Sequence, residues 1–340
     1  MANHTVGSGI RFAFSKHPGA RAYDADFFDW ATTTACDYEG RRNIYGLEHA
    51  AVRIQKEKGE SILILRDGKA DDGYRPKIQL VDPDALDPSA TPKYVGNKVV
   101  DGIEVRRSGA VVGYHFLFID DFGMQEREFV FSDHIVHLFE TESAGQLRGI
   151  PAGATVISRV QIHDGLFSSV MAKAWVEACF GVAITRPEAI DGEDVGNSVV
   201  DDLNGDSEEY ETGFQRPAGL NPGLLFDLDA GQKIETISPS SLGGYDSYIR
   251  MSREDIAAGY GVPYSFMTAD TGQSNYASTK VDILNFYTAI DAFRSSCLYP
   301  ALHKIERFYR ASYELRTGVE LDGMDVTLIA PKRLAIEPAK

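Results

Sequence analysis

The sequence contains little cysteine and no long apolar run, and each shortage excludes a class of protein. Three cysteines, Cys36, Cys179 and Cys297, are spread over 340 residues. An odd, widely spaced set is not a disulfide framework, so we expect reduced thiols, as in a bacterial cytoplasm. No run of about 18 apolar residues is present, and no basic N-terminal stretch precedes a shorter apolar one. Neither a membrane span nor a signal peptide is predicted.

Positive charge is also scarce, since the formal net charge is -16. Non-specific binding to free DNA depends on Lys and Arg residues that neutralise phosphates and release counterions, so this class of protein is disfavoured. An acidic wall that encloses DNA without adhering to it remains compatible with the charge. Apolar residues make up 43% and charged residues 25%. This composition is ordinary for a folded protein with one large or two medium domains.

Motifs that carry catalysis are missing as well. The sequence has no G-x-x-x-x-G-K-[ST] loop for nucleotide phosphates, and no H-E-x-x-H, C-x-x-C or G-x-S-x-G pattern. We therefore predict no catalytic, cofactor-binding or metal-ligating residues and no enzyme activity. A nuclease site assembled from scattered carboxylates would escape such a search, so a metal-dependent phage nuclease is kept as an alternative.

Two histidines form the best metal candidate, His134 and His137, which follow Asp133. On a helix they would share one face. Their apolar neighbours indicate a strand instead, where residues three apart point to opposite faces. A structural role for both histidines is therefore favoured.

The segment 187–215 is strongly acidic and has no Lys or Arg between Arg186 and Arg216. Asp202, Asn204 and Asp206 have the spacing of a calcium-binding loop, but the twelfth position is a glycine where that loop requires a bidentate Glu. A solvated acidic loop is the favoured interpretation. The pairs Asp71-Asp72 and Asp120-Asp121 adjoin glycines and are interpreted as turns.

Periodicity and turn signals predict an α+β protein with long helices and β-hairpins. The aromatic helix 276–313 has the spacing of a packing face, in the core or between subunits, more than that of a base-stacking surface. The predicted elements are two helices within 24–58, a buried strand at 61–65, a β-rich region at 74–140, a helix at 155–180, a hairpin at 223–237, helices at 246–260 and 276–316 with a break at Pro300, and a C-terminal strand from 327.

Four colinear stretches give the chain a resemblance to a known family. They are GIEVRRSGAVVGYHF at 102–116, FSDHIVHLFETESAGQLRGIP at 131–151, the segment 233–263 with ISPSSLGGYDSY and REDIAAGYGVP, and NYASTK at 275–280. Together they resemble the A/G-Y-H-F, I-x-H-x-F…G-Q-x-R-G-x-P and N-Y-S-S-x-R patterns of bacteriophage portal proteins of the lambda type. Ala277 and Lys280 replace the serine and arginine of the last pattern.

The residues that match these patterns are interpreted as fold determinants. They are Gly102, Tyr114, His115, Phe116, His137, Gly145, Gln146, Arg148, Gly149, Pro151, Gly261, Pro263, Asn275, Tyr276 and Ser278. Gly145 and Gly149 flank Gln146-Leu147-Arg148, which suits a tight crossing of loops.

The resemblance implies a portal subunit fold and a structural function. Portal proteins form rings, usually of twelve subunits, at one capsid vertex, through which double-stranded phage DNA is packaged and ejected. Their partners are other copies of themselves, the terminase, head-completion and tail proteins, and capsid and scaffold proteins, with no membrane involved. The resemblance places the protein in the virion, and in the host cytoplasm during assembly. In these terms 1–185 is a wing-like α+β region, 186–245 an acidic loop with a hairpin, and 246–340 a stem- or tunnel-like helical region with a C-terminal strand.

The resemblance also implies more chain at both ends. Lambda-type portals carry a helical segment before the point that matches Gly7 and a longer extension after Ile336-Glu337-Pro338. The chain is therefore expected to be shortened relative to that pattern. A prophage remnant that keeps the fold and acts as an interaction protein without assembling is a further alternative.

Overall fold

The computed structural model describes residues 2–119, 123–185, 224–228, 245–270 and 276–333, with side chains at all of these except 176–185, 224–228 and 276–278. Contacts divide the chain into two units, Met1–Val156 with Ala257–Lys340, and Ile157–Ile256. The first unit is discontinuous because the last helix packs with the N-terminal helices. The three functional regions expected from the sequence, with bounds at 185 and 245, remain a prediction.

Eight α-helices and eleven strands are defined among the described residues. The helices are α1 (Ala2–Thr5), α2 (Ala20–Thr32), α3 (Ile44–Lys58), α4 (Ile157–Cys179), α5 (Tyr245–Gly259), α6 (Tyr264–Thr268), α7 (Tyr276–Phe293) and α8 (Tyr299–Thr317). The strands are β1 (Arg11–Ser15), β2 (Glu60–Arg66), β3 (Lys77–Val81), β4 (Lys98–Val100), β5 (Ile103–Val105), β6 (Val111–Ile119), β7 (Gln125–Phe131), β8 (Ile135–Phe139), β9 (Phe180–Thr185), β10 (Leu224–Leu228) and β11 (Asp325–Ile329).

The predicted β-rich region forms two antiparallel sheets in the first unit. One has the order β3-β2-β8 and the other the order β4-β5-β6-β7. Strands β5 and β6 form a hairpin within the predicted β-rich region, with Ile103 opposite Tyr114. A separate antiparallel pair, β1 with β11, joins the two ends of the described chain.

Strand β2 is buried on both of its faces. Leu63 and Leu65 belong to a cluster with the helices, whereas Ile62 and Ile64 belong to a second cluster with residues of β5 and β6 such as Phe116. Each of these four side chains is at most 4% exposed. Burying a side chain of this kind contributes roughly 1.5–3 kcal/mol. The uninterrupted apolar run of β2 is therefore explained by its position between two cores.

The aromatic C-terminal segment is confirmed as a packing element. Its inward side chains are 1–7% exposed: Ile283, Phe286, Ile290, Phe293, Leu298, Leu302 and Ile305. Helix α7 passes into α8 through a π-helical turn, Arg294–Leu298, and Pro300 lies in the first turn of α8. Proline is tolerated there because the first turn of a helix does not need its N–H group. The predicted break at Pro300 is thus a change of helical pitch in the turn just before this proline.

Two parts of the sequence interpretation need correction. The first 22 residues, where the sequence predicted no helix or strand, contain α1 and β1. Strand β9 was not predicted, and β10 pairs with it in parallel. The partner expected for β10 in a hairpin, 233–237, lies outside the described residues. No helix in the described part of the chain is long and apolar enough to cross a membrane.

A carboxyl group is buried in the helical core without a cationic partner. Glu48 of α3 is 4% exposed, and its Oε2 accepts a hydrogen bond of 3.0 Å from the N–H of Ile10. Its Oε1 has no hydrogen-bond partner among the described residues. Burial raises the pKa of Glu48 from 4.5 to about 8, against a small opposing effect of the Ile10 hydrogen bond. At neutral pH the folded protein therefore retains a proton that the unfolded chain has lost.

We predict that Glu48→Gln stabilises the protein at neutral and alkaline pH. The raised pKa makes the contribution of Glu48 most favourable below 4.5, and this contribution is lost as pH rises to about 8. Glutamine keeps the shape and cannot ionise, so its advantage should grow across that interval and reach about 1–4 kcal/mol at pH 8. Urea unfolding at pH 4.5, 6 and 8 measures it. An advantage that is independent of pH would contradict the prediction.

Candidate functional site

The residues of two family patterns meet at one buried carboxylate, that of Glu60. This residue is 2% exposed and begins β2, directly after Gly59 ends helix α3. Its Oε1 accepts a hydrogen bond of 2.6 Å from Nε of Arg148. Its Oε2 accepts bonds of 3.0 Å from Nε2 of His137 and 2.8 Å from the N–H of Gly149. We call Glu60, His137, Arg148 and Gly149 the Glu60 cluster.

The Glu60 cluster holds a charged carboxylate despite its burial. Burial by itself favours the neutral acid, but hydrogen bonds from His137, Arg148 and Gly149 outweigh it and lower the pKa of Glu60 to about 2. A buried charge that is paired and fully hydrogen-bonded fixes the positions of its partners. Arg148 extends this effect, because its other nitrogen donates to the carbonyl of Asp101 at 3.1 Å. The cluster thus joins β2, β8, the loop after β8 and the β4–β5 turn.

Two glycines allow the chain to cross itself beside the cluster. A Cβ atom on Gly149 would lie 2.1 Å from the carbonyl oxygen of Gly59. A Cβ atom on Gly59, whose φ is +89°, would lie 2.4 Å from the carbonyl carbon of Ile150 and 2.5 Å from the nitrogen of Pro151. Side chains are excluded at both positions by backbone atoms, which cannot move aside as a flexible side chain can. The loop crossing expected from the sequence is confirmed.

Gln146 shapes the loop that delivers Arg148 to the cluster. Its side-chain oxygen accepts hydrogen bonds from the N–H groups of Glu142 and Ser143, at 2.7 and 3.2 Å. Its side-chain nitrogen donates to the carbonyl of Arg148 at 2.8 Å. Gly145 provides the φ of +79° that the preceding turn requires. These contacts explain the G-Q-x-R-G pattern as the construction of one loop.

The three adjacent residues of the Y-H-F pattern on β6 make contacts that stabilise both sheets. The hydroxyl of Tyr114 lies 3.2 Å from Nδ1 of His137, so Tyr114 extends the Glu60 cluster. Phe116 is fully buried between the sheets. His115 points the other way, and its Nε2 donates to Oε2 of Glu104 at 2.9 Å. Gly102, with φ of +84°, lies where a Cβ would come within 2.8 Å of Leu86 Cβ.

Glu104 is a second buried carboxylate and anchors a loop. It is completely buried and accepts hydrogen bonds from the N–H groups of Lys93 and Tyr94, at 2.7 and 3.1 Å, and from Nδ2 of Asn97 at 2.7 Å. Burial opposes its charge, but these bonds and that from His115 lower the pKa of Glu104 below its usual 4.5. The carboxylate therefore replaces the water that the N–H groups of residues 93–97 would otherwise require.

The chain of hydrogen bonds from Tyr114 through His137 to Glu60 has the order of a nucleophile, a base and an orienting acid. An activated nucleophile needs a lowered pKa, whereas burial, aided by the charge of Glu60, raises the pKa of Tyr114. The adjoining cleft, of about 370 Å³, also contains Cys297 and Lys304. Burial raises the pKa of Cys297, and the amine of Lys304 donates to the carbonyls of Ser132 and Ile135 at 2.7 and 2.6 Å. These groups are arranged for support of the fold.

The histidines considered as metal ligands have separate partners. Nδ1 of His134 lies 3.2 Å from the carbonyl oxygen of Leu65, whereas His137 belongs to the Glu60 cluster. In the part of the chain that the structure describes, no three His, Cys, Asp or Glu residues are grouped as a metal site requires. Asp72, in the predicted turn at 70–72, pairs with Lys77 at 3.0 Å. The acidic segment 187–215 and Asp120-Asp121 lie outside the described residues.

The remaining family-pattern residues are distributed over the C-terminal helices. Gly261 has φ of +64° after α5, and Pro263 immediately precedes α6. Tyr276 and Ser278 belong to α7, without description of their side chains, and Asn275 lies outside the described residues.

Sequence reasoning missed both acidic anchors, Glu60 and Glu104. Glu60 stands at the head of the apolar run of β2, where a charged residue is usually solvated. Glu104 alternates with Ile103 and Val105, a pattern that places it on a polar face. The feature that could have indicated them is the set of Arg and His residues in the family patterns, because a buried Arg or His side chain requires a hydrogen-bond acceptor.

We predict that Glu60→Gln destabilises the protein by about 2–4 kcal/mol, because the substitution removes the charge opposite Arg148 and one acceptor. Urea unfolding at pH 7 measures the loss. Glu57→Gln is the control, since Glu57 is 59% exposed and pairs with Arg53 on the surface of α3. That control should change stability by less than about 0.5 kcal/mol. Equal effects of the two substitutions would contradict the role of the cluster.

We predict that Gly149→Ala destabilises the protein by about 1–3 kcal/mol, because its methyl group would overlap the backbone at Gly59. The matched control is Gly165→Ala on helix α4, where a Cβ meets no atom within 4 Å. Alanine in a helix is favoured over glycine by about 0.5–1 kcal/mol, so the control should be neutral or stabilising. Thermal unfolding followed by circular dichroism distinguishes the two. A tolerated Gly149→Ala would show that the crossing is loose.

Comparison with known proteins gives consistent matches. A portal protein of Escherichia phage N15 is 21% identical over 320 residues, which cover 82% of this chain and 58% of that protein. The chain therefore spans less than two thirds of the length of this relative. Among solved structures, the neck of an empty gene transfer agent particle matches 96% of this chain and 78% of its own, at 15% identity and a TM-score of 0.48.

A portal protein of the HK97 family from Corynebacterium diphtheriae covers 97% of this chain and 90% of its own, at 12% identity and a TM-score of 0.43. The family described as "Phage portal protein, lambda family" matches residues 1–294. That match includes both sheets, the Glu60 cluster and the start of the C-terminal helices. Since it extends over far more than half of the sequence, the chain belongs to the lambda family of phage portal proteins.

Proposed function

We propose that the chain is a subunit of a portal ring at a capsid vertex, and that double-stranded phage DNA enters and leaves through the ring. The observation that carries the proposal is the family match over residues 1–294. The geometry of the family-pattern residues supports it, because the described ones build loops and join sheets. A protein whose function is the shape of an assembly depends on such contacts more than on an open reactive cleft.

The charge of the chain supports a conduit more than a clamp. With a net charge of -16, a ring would repel the phosphate backbone along most of its surface and would bind DNA weakly. DNA could then slide through an enclosing channel. The strong, salt-sensitive binding typical of basic DNA-binding proteins is not expected.

The proposed partners follow from the same family. They are further copies of the chain, twelve subunits in all, together with the terminase, head-completion and tail proteins, and capsid and scaffold proteins. The proposal assigns no reaction to the chain, and the energy for packaging would come from the terminase. The proposed locations are the portal vertex of the virion and, during assembly, the host cytoplasm. Within the subunit, we propose 1–185 as the wing-like region and 246–340 as the stem- or tunnel-like region.

We predict that the purified protein forms a ring with a mass about twelve times the 37.4 kDa of the chain. Size exclusion with light scattering gives the mass, and negative-stain images of the large peak show whether a central hole is present. A protein that remains monomeric at high concentration would favour the alternative of a remnant that keeps the fold without assembling.

A further inference from the structure

An exposed apolar tip projects from the edge of the four-stranded sheet. Residues 93–97, which we call the tip loop, precede β4. Val95 is fully exposed and Tyr94 is 43% exposed. The amine of Lys93 lies 4.3 Å from the centroid of the Phe129 ring, which attaches the base of the loop to β7. Two adjacent apolar side chains thus face solvent on a loop that is tied down on both sides.

The tip loop is held in this conformation by the buried carboxylate of Glu104. Three of the four hydrogen bonds that this carboxylate accepts come from Lys93, Tyr94 and Asn97. A loop fixed with its apolar residues outward has already lost the conformational entropy that binding usually costs. This arrangement is typical of a surface that contacts another macromolecule.

The same unit contains a cleft whose lining is apolar and acidic, and which therefore complements the apolar and basic tip loop. Its volume is about 350 Å³, within the range of specific binding pockets. Ile150, at its edge, is 50% exposed and adds apolar surface. We call it the acidic cleft; the residues that define it for this purpose are Ile150, Pro151, Phe286, Ile290, Glu140 and Glu142.

Charge distinguishes the acidic cleft from two other clefts of this unit. Glu140 is paired with Lys56 at 2.7 Å, but no ion pair to Glu142 is present among the described residues, so the lining has a net negative charge. The cleft beside Tyr114 contains Lys304, and a third contains one acidic and one basic residue. The tip loop and the residue after it contribute Lys93 and Lys98. Lys98, at the end of this loop, is therefore attracted to the acidic cleft more than to these two clefts.

We propose that the tip loop of one subunit docks into the acidic cleft of a neighbouring copy of this chain, with Val95 and Tyr94 on its apolar floor and Lys98 beside Glu142. A closed ring requires such a heterologous contact, in which two different surfaces of the same chain meet head to tail. The inference rests on the proposed ring function and specifies one of its interfaces. Because the contact uses an apolar tip with charged residues around it, it has the anatomy of a specific interface.

The apolar part of the contact is tested with Val95→Asp in the full chain. A charge placed on the apolar floor should weaken subunit association at least about tenfold, as loss of an interface anchor does. Light scattering over a dilution series measures association, and circular dichroism verifies folding. Val319→Asp is the matched control, since Val319 is 41% exposed and belongs to neither surface. Association that is unchanged by Val95→Asp overturns the proposal.

The pairing itself is tested by charge reversal. Lys98→Glu and Glu142→Lys should each weaken association several-fold, and the double variant should recover most of the loss, because a double-mutant cycle isolates a direct interaction. Losses that simply add in the double variant overturn the pairing of these two residues. If the unmodified chain forms rings and these variants associate as strongly as it does, the proposed contact is wrong and the ring function is retained. If the unmodified chain stays monomeric at every concentration, the ring function fails, and this contact with it.

Discussion

The ion pair between the buried carboxylate of Glu60 and the partly exposed Arg148 is the interaction on which the arrangement of the two sheets depends. Glu60 lies where helix α3 gives way to the central strand β2, and its carboxylate receives donors from β8 and from the loop that follows it. Through Asp101, Arg148 also reaches the turn that begins the hairpin of the second sheet. Removing any one donor would leave charge or polar atoms buried without compensation, which is far more costly than losing a surface contact.

Much of the fold could be predicted from local patterns. Three local patterns indicated the type and burial of their elements: the apolar run at 61–65, the alternation around Ile103 and the helical spacing of 276–313. The discontinuity of the first unit could not be predicted in this way. It depends on contacts such as that of Tyr309 with Asp26, whose hydroxyl and carboxylate are 2.6 Å apart across 283 positions of sequence. No periodicity within either helix specifies the other as its partner.

The glycines of the candidate site could be predicted from the sequence, whereas its buried carboxylates could not. Gly145 and Gly149 stand out because tight turns and backbone crossings require glycine, a steric rule that acts locally. Glu60 and Glu104 owe their burial to donors that arrive from distant segments, so their own neighbours in sequence give no indication of it. The family resemblance had marked Tyr114, His137 and Arg148 without showing that Glu60 accepts from His137 and Arg148, and that Tyr114 reaches it only through His137.

The proposed function of this protein is to build an enclosure for DNA. Buried carboxylates fix its loops, the tip loop carries its apolar side chains outward, and its net charge of -16 disfavours adhesion to DNA. An electron cryomicroscopy reconstruction of the purified, full-length chain tests this claim most directly. The proposed function predicts a closed ring of identical subunits, related by rotation about a central channel. A monomer, or a twofold dimer in which the same surface of each copy meets its counterpart, would contradict it.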